Sequence, residues 1–260
     1  MIRWRTGVVT ELGTAWRGVQ EAFVEGDDGH PMRALAYVDL VGSPLPGDRV
    51  LLNATALLMG LGTGGYALVV AMPDRLPADP PPGPGHLVKA RYTPLQATVL
   101  GVDEQGSEHH PLLRDADNLD ALPVVTADLH SALPAVLAGV RAEADTLKVV
   151  YVMTDGGALP LAFSRAVAGL VDAGWLAGTV TVGQAYGGDL EAVTLHTGLL
   201  AARHVLGADV AVVAQGPGNL GTGTRWGYSG VAAGEAVNAA GVLGGRAVAS
   251  LRVSQSDQRE

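Results

Sequence analysis

The sequence predicts an α/β protein: a small β-barrel or sandwich-like part, then a Rossmann-like parallel sheet with helices on both faces. Three observations carry that expectation. Residues 1–72 break into short strand-like runs separated by turn signals, the spacing of a small antiparallel barrel or sandwich. Residues 73–85, PDRLPADPPPGPG, hold six prolines in thirteen positions. Proline fixes φ and removes a donor, so this stretch reads as an extended connector. From Leu122 onward, short apolar runs alternate with Ala/Leu-rich stretches long enough to be helices, the pattern of parallel strands covered on both faces.

Taken in order, the strand-like runs of the first part are residues 6–12, 19–24, 33–41, 49–54 and 66–72. The turn signals EGDDGHP, GSPLPGD and GLGTGG divide them. After the proline connector, residues 86–103 return to β character, and 106–120 form a polar connector. The expected division is therefore a β-rich N-terminal domain, 1–118, and a Rossmann-like α/β domain, 119–260. In the second domain the expected strands are 122–126, 148–153, 179–182, 209–214 and 246–253. The expected helices are 133–144, 161–173, 190–206 and 231–243. Pro134 and Pro160 stand where helices begin and a missing N–H is tolerated. Gly174, Gly207 and Gly244 stand where helices end.

Composition narrows the function classes. Hydrophobic residues make up 48% and charged residues 17%, so the chain is globular. A formal charge of −9 with a pI near 5.2 argues against a nucleic-acid partner, which selects a basic face. There is no cysteine, which excludes disulfides, thiolate nucleophiles and Cys-ligated zinc. No N-terminal run resembles a signal peptide and no stretch approaches a membrane span, so a soluble cytoplasmic protein is expected. A mean hydropathy of +0.24 points to a buried interface and hence a homo-oligomer.

In open parallel sheets, ligands bind beyond the carboxyl ends of the strands. Those ends carry Asp128, His130 and Ser131; then Thr154, Asp155, Gly156 and Gly157; then Gln184, Tyr186, Gly187, Gly188, Asp189 and Glu191. The fourth is QGPGNLGTGTRWGYSG, residues 215–230. Its hydrogen-bonding groups include Gln215 and Ser229. Successive N–H groups of Gly216, Gly218, Gly221 and Gly223, with Asn219, Thr222, Thr224 and Arg225, are suited to holding an anion at the start of the next helix. GPGNLG matches G-x-G-x-x-G, but the dinucleotide fingerprint needs the helix at once, and here TGTRWGYSG intervenes. The alternative for this loop is a glycine-rich turn packed against a neighbouring subunit. For Asp128, Ser131, Asp155 and Asp189 it is helix capping, and for His130 a core or surface imidazole.

For chemistry, Asp155, Asp189 and Glu191 are the candidates for general base or metal binding, and His130 the alternative acid/base group. Oxygen ligands from Asp128, Asp155 and Asp189 would favour Mg²⁺ or Mn²⁺ over zinc. No Walker-type loop, G-x-S-x-G or H-E-x-x-H is present.

GTGGYALVVA, GHLVKARYTPLQ, MTDGGALPLAFS, GQAYGGDLEAVTLHTGLLAA and GPGNLGTGTRWGYSG together resemble an uncharacterised bacterial family, domain of unknown function 3866. The resemblance runs from about Thr55 to Ser254. It implies that the loops named above are shared family features, and that members continue into a further His-containing segment. It implies no activity. Two readings stand: a binder of a small anionic or phosphorylated metabolite with hydrolase or transferase chemistry, and a non-catalytic assembly or regulatory module whose glycine loops are interface turns.

Overall fold

Alternating apolar positions in the first 72 residues let a sheet roll up around one side of its strands. A computed structural model, which describes residues 1–250 and 252, contains β1 (Trp4–Trp16), β2 (Val19–Gly26), β3 (Pro31–Tyr37), β4 (Arg49–Asn53) and β5 (Ala67–Ala71). They form a closed barrel in the order β1-β2-β3-β5-β4. The long β1 is antiparallel to both β2 and β4, and its register shifts after Val9 and after Leu12 let it bend around the closure. β3 and β5 are parallel. Two single-turn helices, α1 (Val38–Val41) and α2 (Thr55–Leu58), connect the later strands.

The chain divides into two compact units, Met1–Pro82 and Gly83–Glu260. The break thus falls inside the proline connector and not at 118. The hairpin β6 (Leu87–Lys89) and β7 (Ala97–Val99) and the single turn α3 (His110–Leu113) belong to the second unit. The reason is specific: buried Lys89 donates to the carbonyls of Ala185 and Ala192, and the Val102 N–H donates to the Glu191 carbonyl. Val102 and Leu113 join the second unit's core. β character alone does not say which partner a strand will find.

The second unit then runs β8 (Pro123–Thr126), α4 (Leu133–Glu143), β9 (Val149–Thr154), α5 (Arg165–Asp172), β10 (Gly178–Thr181), β11 (Leu190–Glu191), α6 (Leu195–His204), β12 (Val210–Gln215), α7 (Ala232–Val242) and β13 (Arg246–Ala249). All five strand pairings are parallel, in the order β11-β10-β9-β12-β8-β13. Side chains alternate between two cores. Val150, Val152, Ala211 and Val213 face one core with Leu199 of α6 and Ala239 of α7. Val149, Tyr151, Met153 and Val212 face another with Leu137 of α4 and Val167 of α5. Period-2 alternation places these cores on opposite faces of the sheet.

Three expected elements of the second unit change shape, and in the first unit the expected run 33–41 ends as α1 from Val38. The expected helix 161–173 breaks at Ser164, whose hydroxyl accepts from the Val167 N–H and caps α5, after a 3₁₀ turn at Leu161–Phe163. The expected helix 190–206 begins late, because Leu190–Glu191 pairs with β10 and Thr194 caps α6. The last strand is Arg246–Ala249; residues 251 and 253 of its expected span lie outside the described residues. Gly174, Gly207 and Gly244 end helices at φ of +67°, +64° and +67°, where a Cβ would be strained. No helix among the described residues is long and apolar enough to cross a membrane.

Candidate functional site

After β9 the chain leaves towards the face covered by α5; after β12 it leaves towards the face covered by α7. The strand order reverses between these two neighbours, which makes their carboxyl ends a topological switch point. There the two loops meet backbone to backbone. A Cβ on Gly157 would lie 2.2 Å from the Gly216 carbonyl oxygen, and one on Gly216 would lie 2.2 Å from that of Ala158. The Ala158 N–H donates to the Pro217 carbonyl at 2.8 Å. Glycine is required at both positions by contact distance.

Beside this contact, a crevice opens between β8, β12 and the first turn of α7, with Asp128, Thr154, Gln215, Ser229 and Ala233 among its walls. Gln215 is 4% exposed. Its Nε2 donates to the Asp128 carbonyl and to Asn219 Oδ1, both at 2.8 Å. Two acceptors on that side settle which way the amide points. Among the described residues its Oε1 has no hydrogen-bond partner, and neither does Thr126 Oγ1. By strand alternation, both residues face α7.

The glycine loop folds into a small lobe closed by a Gly221–Tyr228 bridge and by Thr222 N–H donating to the Gly227 carbonyl. Tyr228 OH donates to Asp128 Oδ2 at 3.1 Å, fastening the lobe to the loop after β8. Leu220 and Trp226 are 72% and 76% exposed. Arg225 is also exposed and has no acidic partner among the described residues. It is the one charged side chain between Asp209 and Glu235. The Thr222 and Thr224 hydroxyls bond to each other.

The other expected site residues are distributed differently. Asp155 is exposed at the switch point, with Oδ2 accepting from the Gln184 N–H. Asp189 turns back to the start of β10, where its Oδ2 accepts from the Thr179 N–H and hydroxyl at 2.8 Å each. Glu191 is buried, accepting from the Gly187 N–H and the Thr181 hydroxyl, with Lys89 Nζ 3.4 Å from Oε2. Burial pushes Glu191 up and Lys89 down, each towards its neutral form, against their mutual attraction. Burial, reinforced by the nearby Glu191 charge, raises Tyr186 to about 12.

His130 lies outside the crevice walls in a sealed relay. Its Nε2 is 2.7 Å from Ser164 Oγ and its Nδ1 3.1 Å from Tyr151 OH, while Tyr151 OH donates to the Gln215 carbonyl at 3.1 Å. Burial lowers His130 from its usual 6.5 to about 4 and pushes Tyr151 well above its ordinary range. A neutral ring gives every proton an acceptor: Ser164 OH to Nε2, Nδ1–H to Tyr151, and Tyr151 to the carbonyl.

The structure therefore brings together Asp128, Asn219, Gln215 and the glycine lobe, with Asp155 on the adjoining loop. It does not assemble the expected oxygen set of Asp128, Asp155 and Asp189: among the described residues no group of three or more His, Asp or Glu is placed to hold a metal ion. Gln215 had a signal, as the one polar residue ending VAVVAQ. Lys89, Tyr151 and Ser164 had none, because their partners Ala185, Gln215 and His130 are 96, 64 and 34 residues away.

Fold and site define a class: an α/β protein with a closed five-stranded barrel, a parallel six-stranded sheet and a crevice at that sheet's switch point. The family model described as Protein of unknown function (DUF3866) matches residues 33–260, and the chain belongs to that family. No curated protein matches the chain.

Proposed function

We propose that the chain binds a small anionic, phosphorylated metabolite at the carboxyl edge of its parallel sheet, a Rossmann-like use of the edge. Its strand order is not the one found in dinucleotide-binding sheets, so the reading rests on the switch point and not on a fold analogy. The observation that carries it is the crevice at the order reversal, adjoined by a lobe whose one charged side chain, Arg225, is unpaired among the described residues. In this reading Arg225, the Asn219, Thr222 and Thr224 side chains and the backbone N–H groups of Gly216, Gly218, Gly221 and Gly223 hold the anion. Asp155 is the exposed carboxylate available as general base in hydrolase or transferase chemistry. A Mg²⁺ or Mn²⁺ ion would draw most of its oxygens from ligand and water, with Asp155 or Asp128 supplying one. Asp189, Glu191 and His130 act through the loops they hold.

The test is thermal unfolding against nucleotides, sugar phosphates and acyl-CoA compounds, with and without Mg²⁺ or Mn²⁺. A ligand at about 100 times its Kd stabilises by about 2.7 kcal/mol, a rise in Tm of roughly 5–10 °C for a chain of this size. The expected result is one clear class of hit, lost in Arg225→Ala. A flat response across the panel, or a hit unaffected by Arg225→Ala and Asp155→Ala together, overturns the reading. A second reading, assembly into a homo-oligomer through the glycine lobe, is favoured by the exposure of Leu220 and Trp226 at its tip.

A further inference from the structure

We infer that the β6–β7 loop, residues 90–96, is the recognition arm of the ligand site: Arg91 holds the anion and Tyr92 stacks on a flat ring, which makes the phosphorylated ligand a nucleotide. This deepens the anion-binding reading and rests on it only for an anion at the carboxyl edge of the sheet. Two hydrogen bonds join the arm to that edge. The Arg91 N–H donates to Gln184 Oε1 at 2.9 Å, and the Gln184 N–H donates to Asp155 Oδ2 at 2.8 Å. The root of the arm is fixed as well, by buried Lys89 on the Ala185 and Ala192 carbonyls. Burial lowers Lys89, and the carboxylates that oppose this shift are Glu191 and Asp155, so the root and Asp155 share one neighbourhood.

The arm is ordered by hydrogen bonds and not by packing. The Tyr92 N–H donates to Gln96 Oε1, and the Thr93 N–H and hydroxyl donate to the Ala90 carbonyl. Residues 91–94 are all exposed, and neither the Arg91 guanidinium nor the Tyr92 hydroxyl has a partner among the described residues. On both sides of Arg91 the backbone is strained: Ala90 and Tyr92 have φ of +48° and +61°, values that disfavour residues with a Cβ. Strained backbone of this kind clusters at ligand sites. Burial does not offset the strain at Tyr92, which is 93% exposed. Glycine or asparagine would make the same turn with less strain, so folding gives no reason for an aromatic ring at 92. Ligand recognition does, because an exposed phenol ring offers a stacking face to a planar base. Arg91 beside it supplies a permanent positive charge with forked N–H donors that match phosphate.

The experiment is calorimetric titration of the full chain with adenosine monophosphate, ribose 5-phosphate and adenosine. It uses wild type, Tyr92→Asn, Tyr92→Phe, Arg91→Gln and Arg225→Ala, with the Tm of each measured first. In wild type the nucleotide is expected to bind about tenfold more tightly than ribose 5-phosphate, the effect of one stacked base. Tyr92→Asn should remove that ratio, leave ribose 5-phosphate affinity unchanged and melt no lower than wild type; Tyr92→Phe should keep the ratio. Arg91→Gln should weaken both phosphates by about tenfold and leave adenosine unchanged. Equal wild-type affinities for the two phosphates overturn the arm and leave the anion reading standing. A ratio that survives Tyr92→Asn, or phosphate affinities unchanged in Arg91→Gln, overturns the arm. A lower Tm in Tyr92→Asn assigns the ring to folding and also overturns it. Nucleotide binding no tighter than that of adenosine, with both lost in Tyr92→Asn, keeps the stacking face and removes the anion reading. Weakening by Arg91→Gln but not by Arg225→Ala keeps the arm and takes the anion away from the glycine lobe. No binding by any of the three probes overturns the arm.

Discussion

His130 stood in the sequence as one more polar residue after a strand, open to acid/base chemistry or to a core role. In the fold both ring nitrogens are engaged, by Ser164 and Tyr151, and burial lowers the pKa to about 4. The folded state thus prefers the neutral ring. Between pH 6.5 and 4 the unfolded chain binds more protons than the native one, so stability falls as pH falls through that window and is fully present above 6.5. At about 1.4 kcal/mol per pKa unit, the loss from this residue is on the order of 3 kcal/mol. Urea unfolding at pH 4–7 should show that loss in wild type and a shallower slope in His130→Gln, whose side chain does not titrate. Equal slopes would remove His130 as the cause. No sequence pattern could have revealed this, since Ser164 reaches the ring only because α5 starts there and uses the same hydroxyl as its cap.

Among the elements, the strands were the legible part. Runs such as VVYVM and VAVVA are apolar because both faces of their sheet are covered, and the spans of their strands agree with expectation to within a residue or so. What the sequence hid was attachment. The hairpin β6–β7 reads as β structure but carries no mark of its partner, which is set by Lys89 reaching two carbonyls and Glu191 on the β10–β11 segment. That segment in turn looked helical from Leu190, because LEAVTLHTGLLAA has helical composition; pairing with β10 overrode it. Removing Lys89 would leave Glu191 buried with its Gly187 and Thr181 donors but no cation. Lys89→Met should cost on the order of 3–5 kcal/mol. Lys89→Met/Glu191→Gln should recover part of that, because an amide keeps an acceptor for Thr181 without a buried charge. Urea unfolding of both variants checks it; a double variant no more stable than the single one would show that the pair is not the cause.

At the scale of the whole molecule, the sequence separated a β-rich part from an α/β part but put the boundary too late, at 118 instead of in the proline connector. The same scale bears on assembly. Four arginines of the first unit are paired with acids of that unit (Arg5–Asp28, Arg33–Glu21, Arg49–Asp27 and Arg75–Asp48), so its basic charge is largely spent internally. Large apolar groups, by contrast, stand exposed on the glycine lobe of the second unit. If they serve an interface, light scattering should give wild type the mass of a dimer or larger species, and Trp226→Ala a lower one. A monomeric wild type, or a mass unchanged by the substitution, would discard the interface.

The contact between Gly157 and Gly216 has a consequence for descent. Every single-base change that replaces a glycine codon with that of another residue introduces a Cβ, and at either position that atom would stand 2.2 Å from a carbonyl oxygen of the facing loop. Neither loop can relieve the other, because the obstacle on each side is backbone. A lineage that keeps the switch point has no tolerated neighbouring codon to drift through at these two places, whereas the exposed Gly218 and Gly223 nearby are constrained by backbone angle alone and leave aspartate open as an alternative.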